Sequence, residues 1–329
     1  MWPGESAINE AVRILKAGGL VAVPTETVYG LAAHALDRSA VDRIFKAKGR
    51  PYLDPLIVHI AHIDQVLNLA ENAPGLKALA GAFWPGPLTV VLHKHRCVPD
   101  LVTAGQPTVA IRMPGHPVFQ AVLERSQLPL AAPSANPFGY ISPTQASHVA
   151  DQLGDKVDLI LDGGPCQWGI ESTVIQLCGE EPLVLRHGPI LSEALERVLG
   201  RPVKESSLFE HEGGHQGLAS PGLLTRHYSP RTAMHLLPHG TGVQSLPTAF
   251  NPAHDALILQ SRPDALPEES MHLYWFSESG ALPDVARALF ALLRRLDKTG
   301  HKTLWVEKAP DAGLGLAIND RLTRAAAKS

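Results

Sequence analysis

Cationic and hydroxyl side chains recur in this chain where apolar runs stop. Lys46, Lys48 and Arg50 crowd into KAKGRP, which closes in a Gly-Arg-Pro turn. A lysine offers a mobile point charge and an arginine a planar fork, so together they can clamp a triphosphate. The same cluster also reads as a solvated surface. Arg112 ends the run TVAIRMP, four residues after Thr108, so both project to one face of a strand. An arginine in an apolar strand needs a partner or solvent. Two readings stand: a structural salt bridge, or bidentate capture of a substrate carboxylate. PTETVYG carries Thr25, Glu26, Thr27 and Tyr29 directly after an apolar run. Those groups either satisfy a Pro-initiated turn or face a ligand. Ser134, Asn136 and Ser142 in APSANPFGYISPT can offer hydroxyl and amide groups to a phosphate or base. Ser172, Thr173 and Arg186 end further runs in GIESTV and LVLRHGP.

The elements that must position these groups alternate. The N-terminus reads as an amphipathic helix, with Ile8, Val12 and Leu15 at helical spacing and Gly18 and Gly19 as its stop. LVAV, LIVHI, LTVVL, TVAIRMP, PLAA, VDLILD, STVIQL and LVLRHG read as strands. Helical stretches are expected at about 39–46, 116–125 and 191–199, with two more between LIVHI and the PGP at 85–87. Strands alternating with helices predict an α/β fold with a mixed, twisted sheet. In such sheets ligands collect beyond strand ends, where the polar groups above lie. Residues 204–231, rich in Gly, Ser, His and Pro, read as an interdomain linker and ligand-ordered lid. Beyond it a second α/β unit is expected, with strands ALILQ, HLYWF and TLWVE, a strong helix in DVARALFALLRRLDKTG and a final one containing AINDRLTRAA.

Several classes are disfavoured. The 329 residues carry 29 basic and 32 acidic groups, a formal net charge of −3, which excludes a chain whose bulk charge binds nucleic acid but leaves a local basic patch open. Three cysteines without a CxxC pair read as reduced thiols of a cytoplasmic protein. No segment reads as a signal core or membrane span. There is no P-loop and no GxGxxG, so any nucleotide site must be assembled from dispersed side chains. His211, Glu212 and His215 match HExxH, but Gly213 and Gly214 each cost a helix about 1 kcal/mol, against a zinc-protease helix. No Cys/His cluster suits a structural metal.

In order, PTETVYGL, KAKGRP, PLIVHI, WPGPLT, TVAIRMPGHP, AAPSAN, DGGPCQWGIESTV and LRHGP resemble the threonylcarbamoyl-AMP synthase family. SPGLLTRHYSP, RALFALLRRLDKTG and GLGLAINDRLTRAA extend the resemblance to its long form, over nearly the whole chain. The resemblance implies a YrdC-like catalytic domain over 1–203, an open mixed sheet with a large concave face, then the linker or lid at 204–231. A smaller Rossmann-like domain over 232–329 follows. It implies synthesis of threonylcarbamoyl-AMP from L-threonine, bicarbonate and ATP, with Mg²⁺ accompanying ATP and pyrophosphate leaving. The product passes to a separate tRNA-modifying transferase. By the same resemblance the KxR/SxN tetrad is Lys48, Arg50, Ser134 and Asn136, with Lys48 and Arg50 catalytic. Thr108, Ser142, Arg186 and Tyr228 join them around ATP, and Thr25, His59, Arg112, Ala132 and Ser172 hold threonine. Two departures stand out: Asp54 replaces the usual Asn before PLI, and LLTRHY replaces a Met-and-aromatic linker. An RNA-binding or scaffold role in the tRNA-modification machinery is the alternative; the 5% aromatic content and negative charge weigh against it. A related carbamoyl-phosphate-dependent enzyme of hydrogenase maturation would need zinc-finger and acylphosphatase regions that this sequence lacks.

Overall fold

A computed structural model describes residues 2–206, 227–266 and 271–327. Most of the expected linker, and the whole His211–His215 motif, lie outside the described residues. The described chain forms two compact units, the first comprising 2–138, 142–167 and 171–206, the second 139–141, 168–170, 227–266 and 271–327.

In the first unit the chain runs α1 (Glu5–Lys16), β1 (Val21–Val23), β2 (Gly30–His34), α2 (Arg38–Lys48), β3 (Ile57–His59), α3 (Leu76–Phe83), β4 (Leu88–His93), α4 (Asp100–Thr103) and β5 (Thr108–Arg112). It continues through α5 (Pro117–Ser126), β6 (Leu130–Ala131), α6 (Ala146–Leu153), β7 (Leu159–Ile160), β8 (Thr173–Gln176), β9 (Leu183–Arg186), α7 (Ser192–Leu199) and β10 (Lys204–Glu205). The ten strands make one mixed sheet, in the order β10-β9-β8-β4-β5-β3-β6-β2-β1-β7. The expected strands and helices are present with boundaries shifted by a few residues, except that the first of the two helices expected after β3 is a short 3₁₀ helix, Ile63–Asn68. Strands β2 and β10 and helices α4 and α6 were not anticipated; β2 and α6 lie in Gly-, Ala- and Ser-containing stretches whose apolar periodicity is weak.

Local chemistry sets the element ends. Asp37 caps α2 by accepting from the Ser39 and Ala40 amides, and Gly49 closes it in the left-handed conformation at φ 63°. That stop matters because Lys48 is the last residue of the helix and Arg50 follows the turn. The sheet's two faces differ. One packs Val58, Val90, Ile111, Ala131, Ile175 and Val184 into the main core. On the other, α1 and α5 cover one half with a second cluster that includes Val21, Ala32, Leu130 and Phe119. The remaining half carries only a small apolar patch, Ile57, Val91, Ala110, Val174 and Leu185.

In the second unit β11 (Ala233–Leu237), β12 (Ala256–Ser261), β13 (His272–Ser277), α8 (Leu282–Leu296), β14 (Thr303–Glu307) and α9 (Leu314–Ala326) follow one another. The four strands are all parallel, in the order β11-β14-β12-β13. Helix α8 buries Val285, Leu289, Leu292, Leu293 and Leu296, the stripe expected from its sequence. Asp320 ties Arg321 and Arg324 at 2.9 and 2.8 Å inside α9.

Candidate active site

Strand register gathers several of the expected residues on one face of the sheet. His59 on β3 pairs with Arg112 on β5 and with Leu130 on β6. Ala110 pairs with Val91, Thr89 with Val174, and Val174 with Arg186. Residues paired across a sheet share a face, as do alternate residues along a strand. Thr108, Arg112, His59, Thr89 and Arg186 therefore stand around the patch of Ile57, Val91, Ala110 and Val174. Ser172 and Ala132 lie two residues beyond Val174 and Leu130, just past the strand ends. Thr108 and Arg112 share a face as expected, but four residues of strand separate them by about 13 Å. They can meet only different parts of a ligand.

At the Arg112 end the groups are buried and interlocked. Arg112 Nη2 donates to Glu26 Oε1 at 2.6 Å and its Nε to the Gly86 carbonyl at 3.2 Å. The structural salt bridge is thus real, made by one donor of the five-donor guanidinium while a second holds the Gly86 carbonyl. His59 packs its ring 5.2 Å from that of Phe119. Burial, reinforced by the Arg112 charge, pushes its pKa down to about 3, so it is neutral near pH 7. No described residue hydrogen-bonds its Nδ1. The Thr25 hydroxyl donates to the Val28 carbonyl at 2.7 Å and accepts from the Thr27 and Val28 amides at 3.0 and 3.1 Å. It shapes the turn that delivers Glu26. Tyr29 pins that turn to the 162–164 loop by donating to the Gly164 carbonyl at 2.8 Å. The Ala132 amide donates to the Ile57 carbonyl at 3.0 Å.

Ser172 joins this end to the next. Its hydroxyl lies 2.8 Å from that of Thr89, and its carbonyl accepts from Arg186 Nε and Nη2 at 3.1 and 3.0 Å. Gly188 makes room for the approach, since a Cβ there would meet the Thr173 amide at 2.4 Å.

The KxR/SxN residues also converge. Lys48 Nζ donates to the carbonyl of Ser134 and, at 2.5 Å, to that of Asn136. The Asn136 side chain donates to the Pro137 carbonyl at 2.9 Å. Arg50 donates to the carbonyls of Asp54 and Pro55 at 3.0 and 2.7 Å and forms a 2.8 Å ion pair with the Asp54 carboxylate. The departure at Asp54 is therefore absorbed by Arg50. Ser142 Oγ donates to Glu171 Oε1 at 2.6 Å.

Similarity to known proteins runs along the full chain. The Sua5/YciO/YrdC family, described as Telomere recombination, matches residues 13–188, and the family described as Threonylcarbamoyl-AMP synthase, C-terminal domain, matches 190–327. The threonylcarbamoyl-AMP synthase of Pyrococcus abyssi is 39% identical over 98% of this chain and 94% of its own length. That of Bacillus subtilis is 40% identical over 97% and 92%. The chain belongs to the threonylcarbamoyl-AMP synthase family. It is an enzyme of nucleotidyltransferase type. The crystal structure of Pyrococcus abyssi Sua5 complexed with L-threonine superposes with a TM-score of 0.87 at 38% identity, covering 97% of this chain and 94% of that one.

The family resemblance also pointed to Tyr228. It lies in the second unit, 1% exposed, in the left-handed conformation at φ 63°. Its ring is 5.4 Å from that of Phe290 and 5.8 Å from the Arg321 guanidinium. Sequence reasoning left Glu26 open between a turn and a ligand and gave no role to Thr89 or Glu171; these three are the partners of Arg112, Ser172 and Ser142. The signal for Glu26, Glu171 and Thr89 was their place inside PTETVYG, GIESTV and WPGPLT.

Proposed function

We propose that this family member makes L-threonylcarbamoyladenylate from L-threonine, bicarbonate and ATP, releasing pyrophosphate, for threonylcarbamoyladenosine formation on tRNA by a separate transferase. One observation carries the reading: register and loop contacts bring Lys48 and Arg50, Arg112, and Arg186, from three remote segments, to one sheet and its adjoining loops. The L-threonine complex of the Pyrococcus abyssi relative supports the amino-acid part.

In this reading the threonine carboxylate meets Arg112, while neutral His59, Ser172 and the Ala132 backbone line the rest of its slot. The nucleotide takes Lys48, Arg50, Ser134, Asn136, Ser142, Thr108 and Arg186, with Tyr228 as a further contact. The carbamate and the α-phosphate are both anionic, so their approach is opposed by charge. Cations already held in place lower that barrier without reorganising. No covalent nucleophile is needed where positioning supplies much of the acceleration.

Mg²⁺ is expected with the triphosphate, where it would neutralise phosphate charge. The donor set does not make a protein cage for it: among the described residues no three His, Cys, Asp or Glu side chains cluster as ligands. Asp54, Glu26 and Glu171 are engaged with Arg50, Arg112 and Ser142. Residue 54 therefore enters the reading as a partner of Arg50.

Incubation with ATP, L-threonine and bicarbonate tests the proposal. Pyrophosphate release and a product of threonylcarbamoyladenylate mass are expected, and both must vanish when threonine is omitted. Release indifferent to threonine would overturn it.

A further inference from the structure

Glu26 keeps an oxygen that nothing assigned above uses. The residue follows β1 in the turn shaped by Thr25 and is 7% exposed. Its Oε1 takes the 2.6 Å hydrogen bond from Arg112, but no described residue donates to the buried Oε2. An ionised carboxylate is acceptor-only, and a buried acceptor without a donor is costly. Such an atom calls for a donor that arrives with a ligand.

The surroundings narrow what that donor is. Arg112 is the adjacent cation. His116 and Cys166 lie within electrostatic reach, but burial lowers the His116 pKa, and its Nδ1 accepts from the Val118 amide at 3.2 Å. Burial pushes the Cys166 thiol up, so it stays protonated. Backbone passes close by without a side chain: a Cβ on Gly115 would lie 3.5 Å from the Glu26 carboxyl carbon. A small ligand thus meets a guanidinium with donors to spare beside a carboxylate with an acceptor to spare. That juxtaposition reads a zwitterion, the form of an α-amino acid at neutral pH.

Resting on the function proposed above, we infer that Glu26 Oε2 binds the ammonium group of the amino-acid substrate while Arg112 binds its carboxylate, and that Glu26 takes the proton the ammonium gives up on carboxylation. Ammonium and bicarbonate become carbamate, water and one proton. The first proton passes from nitrogen to Oε2, and the freed lone pair attacks the bicarbonate carbon. The nitrogen–carbon bond forms, a carbon–oxygen bond breaks, and the leaving hydroxide carries off a second nitrogen proton as water. Glu26 is then neutral and returns its proton to solvent when the product departs.

The test compares L-threonine with 3-hydroxybutanoate, which keeps the carboxylate and hydroxyl but lacks the amine. Calorimetry on the full-length protein should find threonine bound at least about tenfold more tightly, the worth of a charge-assisted hydrogen bond. Glu26→Gln should abolish that preference by weakening threonine while changing 3-hydroxybutanoate by less than about threefold. A purely structural role, holding Arg112 in place, would weaken both ligands together and overturn the inference. Should Glu26→Gln fail to fold, the wild-type comparison still decides, because equal affinities for the two ligands overturn it. Threonine-dependent pyrophosphate release by the wild type is the separate control. Its absence sinks the proposed function; its presence with an unchanged ligand preference in Glu26→Gln sinks only the role of Glu26.

Discussion

The segment 48–55 and the junction of the β1 turn with the end of β5 each bury an arginine–carboxylate pair, yet the two pairs are built differently. Arg50 and Asp54 are four residues apart and tied at 2.8 Å, with side chains 3% and 1% exposed. Arg112 and Glu26 are 86 residues apart, tied at 2.6 Å and nearly as deeply buried. The local pair is made within one turn of chain, and two carbonyls of the same turn satisfy more of the guanidinium. The remote pair is made by tertiary packing and leaves Glu26 Oε2 without a described donor. A buried ion pair is weak evidence for stability in itself, because desolvation offsets much of the attraction. The first pair therefore reads as a device that shapes a loop, and the second as one that keeps bonding capacity for a ligand.

Breaking the remote pair should have the largest effect. Arg112→Ala leaves Glu26 buried beside no guanidinium and is expected to lower unfolding free energy by about 3–5 kcal/mol in urea titrations. It should also weaken threonine more than ATP by calorimetry; equal losses would remove the carboxylate role. Lys48→Ala should cut kcat/KM for pyrophosphate release about a hundredfold, roughly 3 kcal/mol of transition-state stabilisation. An unchanged rate in a folded variant would take Lys48 out of the site.

His59, beside the remote pair, sharpens the comparison through pH. Its folded pKa of about 3 lies below the ordinary 6.5, so the folded state binds fewer protons than the unfolded chain between those values. The stability tied to neutral His59 is complete above about 6.5 and is lost as pH falls toward about 3. Between pH 7 and 5 the loss is roughly 2 kcal/mol, and His59→Asn should flatten that part of the urea-midpoint profile. Identical profiles would show that His59 titrates normally. Asp54→Asn touches the local pair and should act least. Removing one negative charge beside Arg50 is expected to tighten ATP by about tenfold at low salt, roughly 1.4 kcal/mol, with the gain shrinking as salt rises. Unchanged or weaker ATP binding would mean that Arg50 faces away from the phosphates.

Much of this was legible in order along the chain. The alternation of Val109 and Ile111 with Thr108, Ala110 and Arg112 announced a strand with one apolar and one polar-tipped face. Gly49 announced the stop that sets Lys48 apart from Arg50. Less legible were β2 and α6, whose small residues carry little periodicity, and the role of Thr89, which shows only once Ser172 is brought against it.

The sequence by itself determined the element types and the identity of the cationic groups, because each depends on spacings of a few residues and on side-chain chemistry. Tertiary structure alone decided that Arg112 meets Glu26, that Lys48 rests on the carbonyls of Ser134 and Asn136, and that one acceptor oxygen remains for a ligand. Those facts follow from the strand order β4-β5-β3-β6 and the loops it brings together. No short-range pattern encodes contacts made across nearly ninety residues of chain.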